Sequence, residues 1–130
     1  MRKIIIDTDT ATDDAIAIIM ALKCNYFNVL AITTVAGNVD LELATTNALY
    51  TCELCESQTP IFKGASGPLN RKLETSKFFH GKDGLGDTGP YEPSNKSKKE
   101  NAVDVIISLI KDNPHDCLLY TSPSPRDNRW

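Results

Sequence analysis

Residues 4–18, IIIDTDTATDDAIAI, join two apolar runs through a stretch that places four carboxylates within eight positions. The first run is β-branched and does not alternate, which predicts a short buried strand. The second continues to Lys23 with apolar residues on nearly every face, as in a helix packed deep inside a larger body. Like charges repel, and burying an unpaired carboxylate is costly. The crowding therefore predicts a site that uses these charges.

The rest of the chain continues the alternation of strands and helices. Predicted strands lie at residues 3–6, 29–35, 60–63 and 116–120. Predicted helices occupy residues 13–23 and 41–56, and a third begins at residues 97–100, where SKKE has the form of a capping box. Residues 64–96 lack periodicity and hold six of the seven glycines, as a functional loop does. This order predicts an α/β fold, a three-layer, mostly parallel open sheet.

Three distant segments are predicted to meet at one edge of this sheet. Ligands of open parallel sheets bind beyond the carboxyl ends of the strands. Residues 7–14, residues 36–39 and the start of the glycine-rich loop all follow such strand ends. We therefore expect the functional site at this edge.

Composition narrows the class of protein. The net charge of −3 leaves no basic surface, which argues against nucleic acid as a partner. No apolar run approaches the roughly 20 residues that span a bilayer, so no membrane partner is predicted. The apolar stretch near the N-terminus is too short for a signal peptide, so a cytoplasmic location is the expectation. The four cysteines are predicted to be free thiols in buried or half-buried positions rather than a disulfide or zinc site.

A hard cation is the simplest reason to gather the four carboxylates, because Ca²⁺ and Mg²⁺ prefer oxygen ligands. Asp7 and Asp9 are two residues apart at a strand end, and such residues share a face. Asp13 and Asp14 open the next helix, where free N–H groups favour negative charge. Capping of that helix by Asp13 or Asp14 is the simpler alternative, but it leaves Asp7 and Asp9 unexplained. The sequence favours a metal or polyol site.

Two other acidic motifs were compared with this stretch. An EF-hand loop is excluded because Thr12 stands where its glycine is needed and Ile18 where its bidentate acid is needed. A phosphatase of the haloacid dehalogenase type would use Asp7 as nucleophile and Asp9 as acid/base. The sequence DTDTA fits its two acids, but Ala11 occupies the position of its Thr or Val. This phosphatase stays a less favoured alternative.

Four motifs resemble one family in the correct order. DTDTATDDAIAI, residues 7–18, is similar to the DxDxGxDDAxAI signature of the inosine-uridine-preferring nucleoside hydrolase family. TVAGNV, HGKDGLG and ENAVDVIISLI resemble later motifs, at residues 34–39, 80–86 and 100–110. The resemblance covers residues 1–116, roughly the N-terminal third of a family member. It implies the Rossmann-like nucleoside hydrolase fold in truncated form.

The resemblance also implies an activity and a cofactor. Family members hydrolyse the N-glycosidic bond of ribonucleosides, giving ribose and free base, and depend on Ca²⁺. By position, Asp9 and Asp14 would be calcium ligands. Asp9 would also be the catalytic base that deprotonates a calcium-bound water. Asp7 would support the site by orienting its neighbours without touching the ion.

Three further residues would contact the small-molecule ribonucleoside substrate. Asp13 would bind ribose hydroxyls, and Asn38 would add a second ribose contact from the next strand end. His80 lies where the family places a lid over the nucleobase. The preference for purine or pyrimidine and the leaving-group acid are left open, because those contacts come from later parts of a family member. The parent protein is expected to be a homo-oligomer.

The sequence departs from the family at two places. Ala11 replaces the usual glycine of the signature, and alanine lacks glycine's access to positive φ. Residues 117–130 are predicted not to match and are interpreted as a separate tail that resembles a translated adapter. We therefore expect the 130-residue chain to be inactive alone. A non-catalytic homologue with weak cation binding is the alternative.

Overall fold

The computed structural model describes residues 1–121, which form an alternating α/β arrangement. Its strands are β1 (Arg2–Thr8), β2 (Phe27–Thr34), β3 (Ile61–Lys63) and β4 (Cys117–Thr121). Its helices are α1 (Thr12–Lys23), α2 (Leu41–Leu54), α3 (Lys77–His80) and α4 (Ala102–Asp112). The predicted tail, residues 117–130, is therefore described only as far as Thr121, and the remainder lies outside the described residues.

The four strands form one parallel sheet in the order β3-β2-β1-β4. β1 is central, and Ile4, Ile5 and Ile6 are all buried, which explains its uninterrupted apolar sequence. Crossovers between parallel strands are right-handed as a rule, so this strand order puts α1 and α2 on one face of the sheet and α4, which returns from β3 to β4, on the other. α1 packs on α2, and α4 contacts β2 and β3. The predicted three-layer, parallel α/β fold is confirmed.

The main core lies between the sheet and the α1–α2 face. It is built from Ile4, Ile6, Ile18, Ile32, Ala48, Leu49, Cys52 and Ile61. Outside it, apolar side chains on α1, α4 and β4 stay exposed, including Ile16, Met20, Val103, Ile107, Leu118 and Tyr120. The prediction that α1 is buried on nearly every face is therefore wrong for this chain.

The four cysteines are free, with Cys52 and Cys55 buried and Cys24 and Cys117 half-buried. Burial, with a smaller effect of Cys55, raises the pKa of Cys52 to about 12, which suppresses its reactive thiolate. Within residues 1–121, none of the helices is long and apolar enough to cross a membrane.

The predicted start of the last helix is wrong. Asn101, rather than residues 97–100, caps α4, and its Oδ1 accepts a hydrogen bond of 2.9 Å from Val103 N. The capping-box residues are held elsewhere, because Lys98 N donates to Ile61 O at 2.8 Å and Lys98 bridges Phe62 beside β3. A tertiary backbone contact therefore overrides the local capping signal. Helix α3, inside the glycine-rich loop, was not predicted.

Asp40 caps α2, and its replacement by alanine is expected to lower the free energy of unfolding by about 1 kcal/mol at pH 7. Its Oδ1 accepts from Leu43 N at 2.9 Å, and its Oδ2 lies 3.1 Å from Lys77 Nζ. Burial raises the pKa of Asp40, but these two contacts outweigh it, so the pKa lies below the ordinary 3.8. The stabilisation is therefore present above pH 3.8 and is lost as the pH falls through the lowered value.

Urea denaturation of the Asp40→Ala variant at pH 7 and near pH 3 measures this effect. Asp40→Asn is the matched control, because it keeps the capping oxygen and loses only the charge. An equal loss of stability by the alanine variant at both pH values would contradict the assignment.

Candidate functional site

The segment formed by the β1–α1 connection and the first turn of α1, residues 9–14, is called the acidic loop below. Its Ala11 is the N-cap of α1 and is fully buried, with φ −123° and ψ −159°. This is extended backbone that any residue adopts, so alanine at the signature's glycine position requires no strained conformation. Neither Asp13 nor Asp14 is the N-cap, so the simple capping explanation of these carboxylates is wrong.

The first turn of α1 points its two acids in different directions. Asp14 is buried, and its Oδ2 accepts a hydrogen bond of 2.8 Å from Thr8 Oγ1 at the end of β1. Thr8 Oγ1 also lies 3.2 Å from Thr10 Oγ1. Asp13, the next residue along, is exposed to solvent. The loop thus holds one carboxylate inside the site and offers the other at its surface.

Asp9 is the most constrained carboxylate of the loop. It is 6% exposed, and its Oδ2 accepts from Asn38 N at 2.7 Å. Its Oδ1 is buried, and no hydrogen-bond donor among the described residues reaches it. Burial, followed by the neighbouring Asp14 carboxyl, outweighs the Asn38 N–H and raises the pKa of Asp9 to about 7. A carboxylate in this position requires a positive charge to stay ionised at low cost.

Gly37 makes this position possible. A Cβ atom on Gly37 would overlap Asp9 Oδ2 and would lie 2.8 Å from Asp9 Cβ. The backbone that follows β2 therefore approaches the Asp9 carboxyl more closely than any other residue type allows.

The donor set at this edge fits a hard cation. Asp9 and Asp14 supply carboxylate oxygens, and the buried Asp9 Oδ1 needs a partner that no described hydrogen-bond donor provides. Within residues 1–121, no group of three or more His, Cys, Asp or Glu side chains is arranged to hold a metal ion. The described residues therefore offer part of the six to eight oxygens that Ca²⁺ takes.

Asn38 joins the second strand end to the acidic loop and to the glycine-rich loop. Ser76 Oγ donates to Asn38 Oδ1 at 2.6 Å, and Ser76 N donates to Asn38 O at 2.8 Å. The start of the glycine-rich loop is also joined to the second strand end, because Ala36 N donates to Ala65 O at 3.0 Å. Together with the Asn38–Asp9 bond, this contact confirms that the three predicted segments meet at the carboxyl edge of the sheet. Ser76 was not identified from sequence, where it is one of many polar residues in a loop.

His80 is buried against the start of α1. Its Nδ1 lies 2.7 Å from Thr12 Oγ1, next in sequence to Asp13, and its ring meets Phe79 edge-on. Phe78 and Phe79 are exposed on the same short helix. The structure therefore places His80 beside the acidic loop rather than in a solvated loop, and its contact with substrate stays a prediction.

Asp7 lies within β1, outside the group of contacts described above. Its Oδ1 accepts a hydrogen bond of 2.6 Å from Thr33 Oγ1 on β2. Burial raises the pKa of Asp7, and the Thr33 hydroxyl partly offsets that effect. The described contacts that orient Asp9 and Asp14 come from Asn38 and Thr8 instead. The supporting role of Asp7 stays a prediction.

Besides Ser76, two residues that organise the site were not identified from the sequence. Asp83 is half-buried and accepts 2.8 Å hydrogen bonds from the N–H groups of Leu85, Asp87 and Gly89. Burial opposes these three bonds, but together they lower the pKa of Asp83. Buried Asn47 on α2 is the second. In the sequence, Asn47 is a polar residue beside the apolar stripe of a helix. The sequence alone does not show whether a residue in that position is buried or exposed.

A parallel sheet with paired buried carboxylates beyond its central strand defines an α/β protein with a polar small-molecule site. The family comparison specifies which one: the chain belongs to the inosine-uridine preferring nucleoside hydrolase family, whose model matches residues 4–124. Because of this match, a phosphatase of the haloacid dehalogenase type is no longer retained as an alternative. It also continues beyond residue 116, and the origin of residues 117–130 stays a prediction.

Individual relatives agree. Uridine nucleosidase 1 of Arabidopsis thaliana is 39% identical over 87% of this chain and 34% of its own length. The inosine-uridine preferring nucleoside hydrolase of Crithidia fasciculata is 40% identical over 84% of the chain and 35% of its own length. The solved purine-preferring ribonucleoside hydrolase from Gardnerella vaginalis superposes with a TM-score of 0.88 at 32% identity, over 93% of this chain and 40% of that one. The chain thus spans about a third of the length of these curated relatives.

Proposed function

We propose that this chain supplies the cation- and ribose-binding half of a site that hydrolyses the N-glycosidic bond of ribonucleosides to ribose and free base. The observation that carries the proposal is the buried Asp9 Oδ1, which no described hydrogen-bond donor reaches and which lies beside a second carboxyl, Asp14. A buried carboxyl pair in which one member has a raised pKa, located at the ligand-binding edge of a parallel sheet, is typical of a functional site.

The reaction requires a base on one face of the sugar. Departure of the nucleobase leaves an oxocarbenium-like sugar, so the attacking water must lose a proton while the leaving group is stabilised on the other side. Asp9 accepts that proton at Oδ1, while the Asn38 N–H holds its Oδ2 in place. A Ca²⁺ ion held by Asp9 and Asp14 would supply the positive charge that makes water more acidic and anchors sugar hydroxyls. Asp7 would support these carboxylates from β1.

Ribose binding falls to the exposed side of the site. Asp13 is exposed at the first turn of α1 and accepts hydrogen bonds from ribose hydroxyls. Asn38 Oδ1 accepts a hydrogen bond from Ser76 Oγ, so Asn38 Nδ2 is the atom that donates to a ribose oxygen. His80, with the exposed Phe78 and Phe79 beside it, faces the nucleobase.

The proposal extends to the parent protein. Its substrates are ribonucleosides of the kinds named for the relatives, uridine and inosine among them. The leaving-group acid, the remaining calcium ligands and the contacts of a homo-oligomer come from residues outside this chain. A cytoplasmic location, without nucleic-acid or membrane partners, completes the proposal.

A chimera tests the proposal. Residues 1–116 of this chain replace the aligned part of the Crithidia fasciculata relative, and ribose release from inosine and uridine is measured with Ca²⁺ and with a chelator. We expect turnover that needs Ca²⁺, and a loss of at least about 100-fold in the matched Asp9→Asn chimera. The 130-residue chain alone is expected to release no ribose. A folded, calcium-binding chimera without turnover would favour the alternative of a non-catalytic, cation-binding homologue.

A further inference from the structure

Asn47 links the two halves of the site through one side chain. It lies on α2 and is 2% exposed. Its Nδ2 donates to Thr10 O in the acidic loop at 3.0 Å and to Asp83 O at 2.9 Å. Both amide hydrogens are therefore used, one on each segment.

The segment that Asn47 holds is called the His80 loop, residues 80–91. Its backbone is organised internally, since Gly86 N donates to His80 O at 2.7 Å and Asp83 accepts three further N–H groups. It packs tightly on Asn47, because a Cβ on Gly84 would lie 3.0 Å from Asn47 Nδ2 and 2.8 Å from Val39 Cγ1. The His80 loop is therefore a unit held by its own hydrogen bonds, and it is attached to α2 through the Asn47 amide.

The other contacts along α2 reach the glycine-rich loop, residues 64–96, but not the acidic loop. Lys77 pairs with Asp40 at 3.1 Å, the rings of Tyr50 and Tyr91 stack at 3.7 Å, and Asn95 N donates to Glu53 Oε1 at 2.9 Å. Among the residues of α2 that the structure describes, Asn47 is the one whose hydrogen bonds reach both the His80 loop and the acidic loop.

We propose that Asn47 is a positioning residue that sets the position of the His80 loop relative to the acidic loop. Binding of a cation at Asp9 and Asp14 then changes the environment of the His80 loop. The positioning itself needs no cation, and the coupling rests on the proposed function. Loss of the amide leaves the carbonyl oxygens of buried Thr10 and half-buried Asp83 without this donor. The His80 loop then loses its hydrogen bond to α2, while the 2.7 Å contact of His80 with Thr12 and the packing of α2 remain.

The wild-type chain provides the first test, by nuclear magnetic resonance. In the metal-free protein, the Asn47 side-chain N–H hydrogens are expected to exchange slowly and to show cross-peaks to residues 10 and 83. On titration with CaCl₂, we expect the Asn47 side-chain signals and the Gly84 and Gly86 amides to shift together with the amides of the acidic loop. Rapid exchange of the Asn47 amide in the folded, metal-free chain would overturn the proposal.

Two variants and a control give the second test, by amide hydrogen exchange without metal. Asn47→Leu keeps the branched shape without donors, and Asn47→Asp keeps the shape with acceptors only. In each, the amides of Leu85, Gly86, Asp87 and Gly89 are expected to exchange at least about tenfold faster, while β2 amides change less. Thr51→Val is the matched control, because among the described contacts the buried Thr51 hydroxyl donates only to Asn47 O within α2, at 2.7 Å. It should speed exchange evenly or not at all.

The outcomes separate the two levels of the inference. Equal acceleration in β2 and in the His80 loop would reduce Asn47 to a general structural role and overturn the positioning. The variants could loosen the His80 loop selectively while the wild-type chain does not respond to CaCl₂. This result would leave Asn47 as a positioning residue and contradict the cation site. If CaCl₂ shifts the acidic loop but not the His80 loop, the coupling fails while the cation site stands.

Discussion

Replacing Asp9 by asparagine is expected to stabilise the metal-free protein and to remove most of its affinity for Ca²⁺. The neutral side chain keeps an oxygen for the Asn38 N–H and turns an amide toward Asp14, so the uncompensated carboxylate disappears. The pKa of Asp9 rises from 3.8 in the unfolded chain to about 7 in the fold, where burial and Asp14 oppose its ionisation. A shift in this direction means that ionised Asp9 destabilises the folded state.

The sign of the pH dependence follows. Below about pH 4 the carboxyl is protonated in both states and contributes nothing; the penalty grows as the pH rises from about 4 to about 7 and is constant above that. The Asp9→Asn variant should therefore exceed the wild type in free energy of unfolding by roughly 1–3 kcal/mol at pH 8, and by much less at pH 4.5. Urea denaturation with a chelator present measures the difference at both pH values.

Asp13→Asn is the control for this comparison, because Asp13 is exposed in the same turn and its neutralisation should change stability by less than about 0.5 kcal/mol. Calorimetric titration with CaCl₂ then checks the second half of the prediction, a loss of at least about tenfold in affinity for Asp9→Asn. An asparagine variant that is less stable than the wild type at pH 8, or that binds Ca²⁺ equally well, would show that Asp9 is a structural carboxylate.

The sequence was sufficient to predict the order of the four strands and the three longer helices, and the edge at which the site forms. Uninterrupted β-branched runs such as residues 4–6 mark central parallel strands, and the carboxyl ends of those strands lie together by topology. Because the carboxylates follow β1 directly, their gathering at this edge could be predicted without coordinates. The identity of the cation, by contrast, rested on the resemblance.

The contacts that hold the site could not be predicted in the same way. Asn47, Ser76 and Asp83 act through hydrogen bonds to groups 36 or more residues away, or within an irregular loop. No period or local propensity carries that information. The same reason explains the wrong start of α4, since the backbone contact of Lys98 with β3 has no local sequence signal.

Replacing Gly37 by alanine is expected to damage the site from the backbone side. The new Cβ would overlap the Asp9 carboxyl, whose Oδ2 already accepts from Asn38 N at 2.7 Å. Either Asp9 moves or the segment after β2 moves, and both break that hydrogen bond. We expect a loss of about 1–3 kcal/mol in the free energy of unfolding and of at least about tenfold in Ca²⁺ affinity.

The chain offers a matched control in Gly67, where an added Cβ meets nothing within 4 Å. Gly67→Ala should leave stability within about 0.5 kcal/mol of the wild type and leave Ca²⁺ affinity unchanged. Urea denaturation and calorimetric titration of the two variants give the comparison. Equal behaviour of Gly37→Ala and Gly67→Ala would mean that the close approach to Asp9 is not a constraint.

A double-mutant cycle identifies Asp9 as the group that meets the new methyl. In an Asp9→Ala background the carboxyl is gone, although the Cβ of residue 9 still lies 2.8 Å from the position of the added atom. Gly37→Ala should therefore cost measurably less there than in the wild type, by about 1 kcal/mol or more. Additive effects would place the strain elsewhere in the turn, whereas strong coupling would show that Gly37 is required because Asp9 must lie against it.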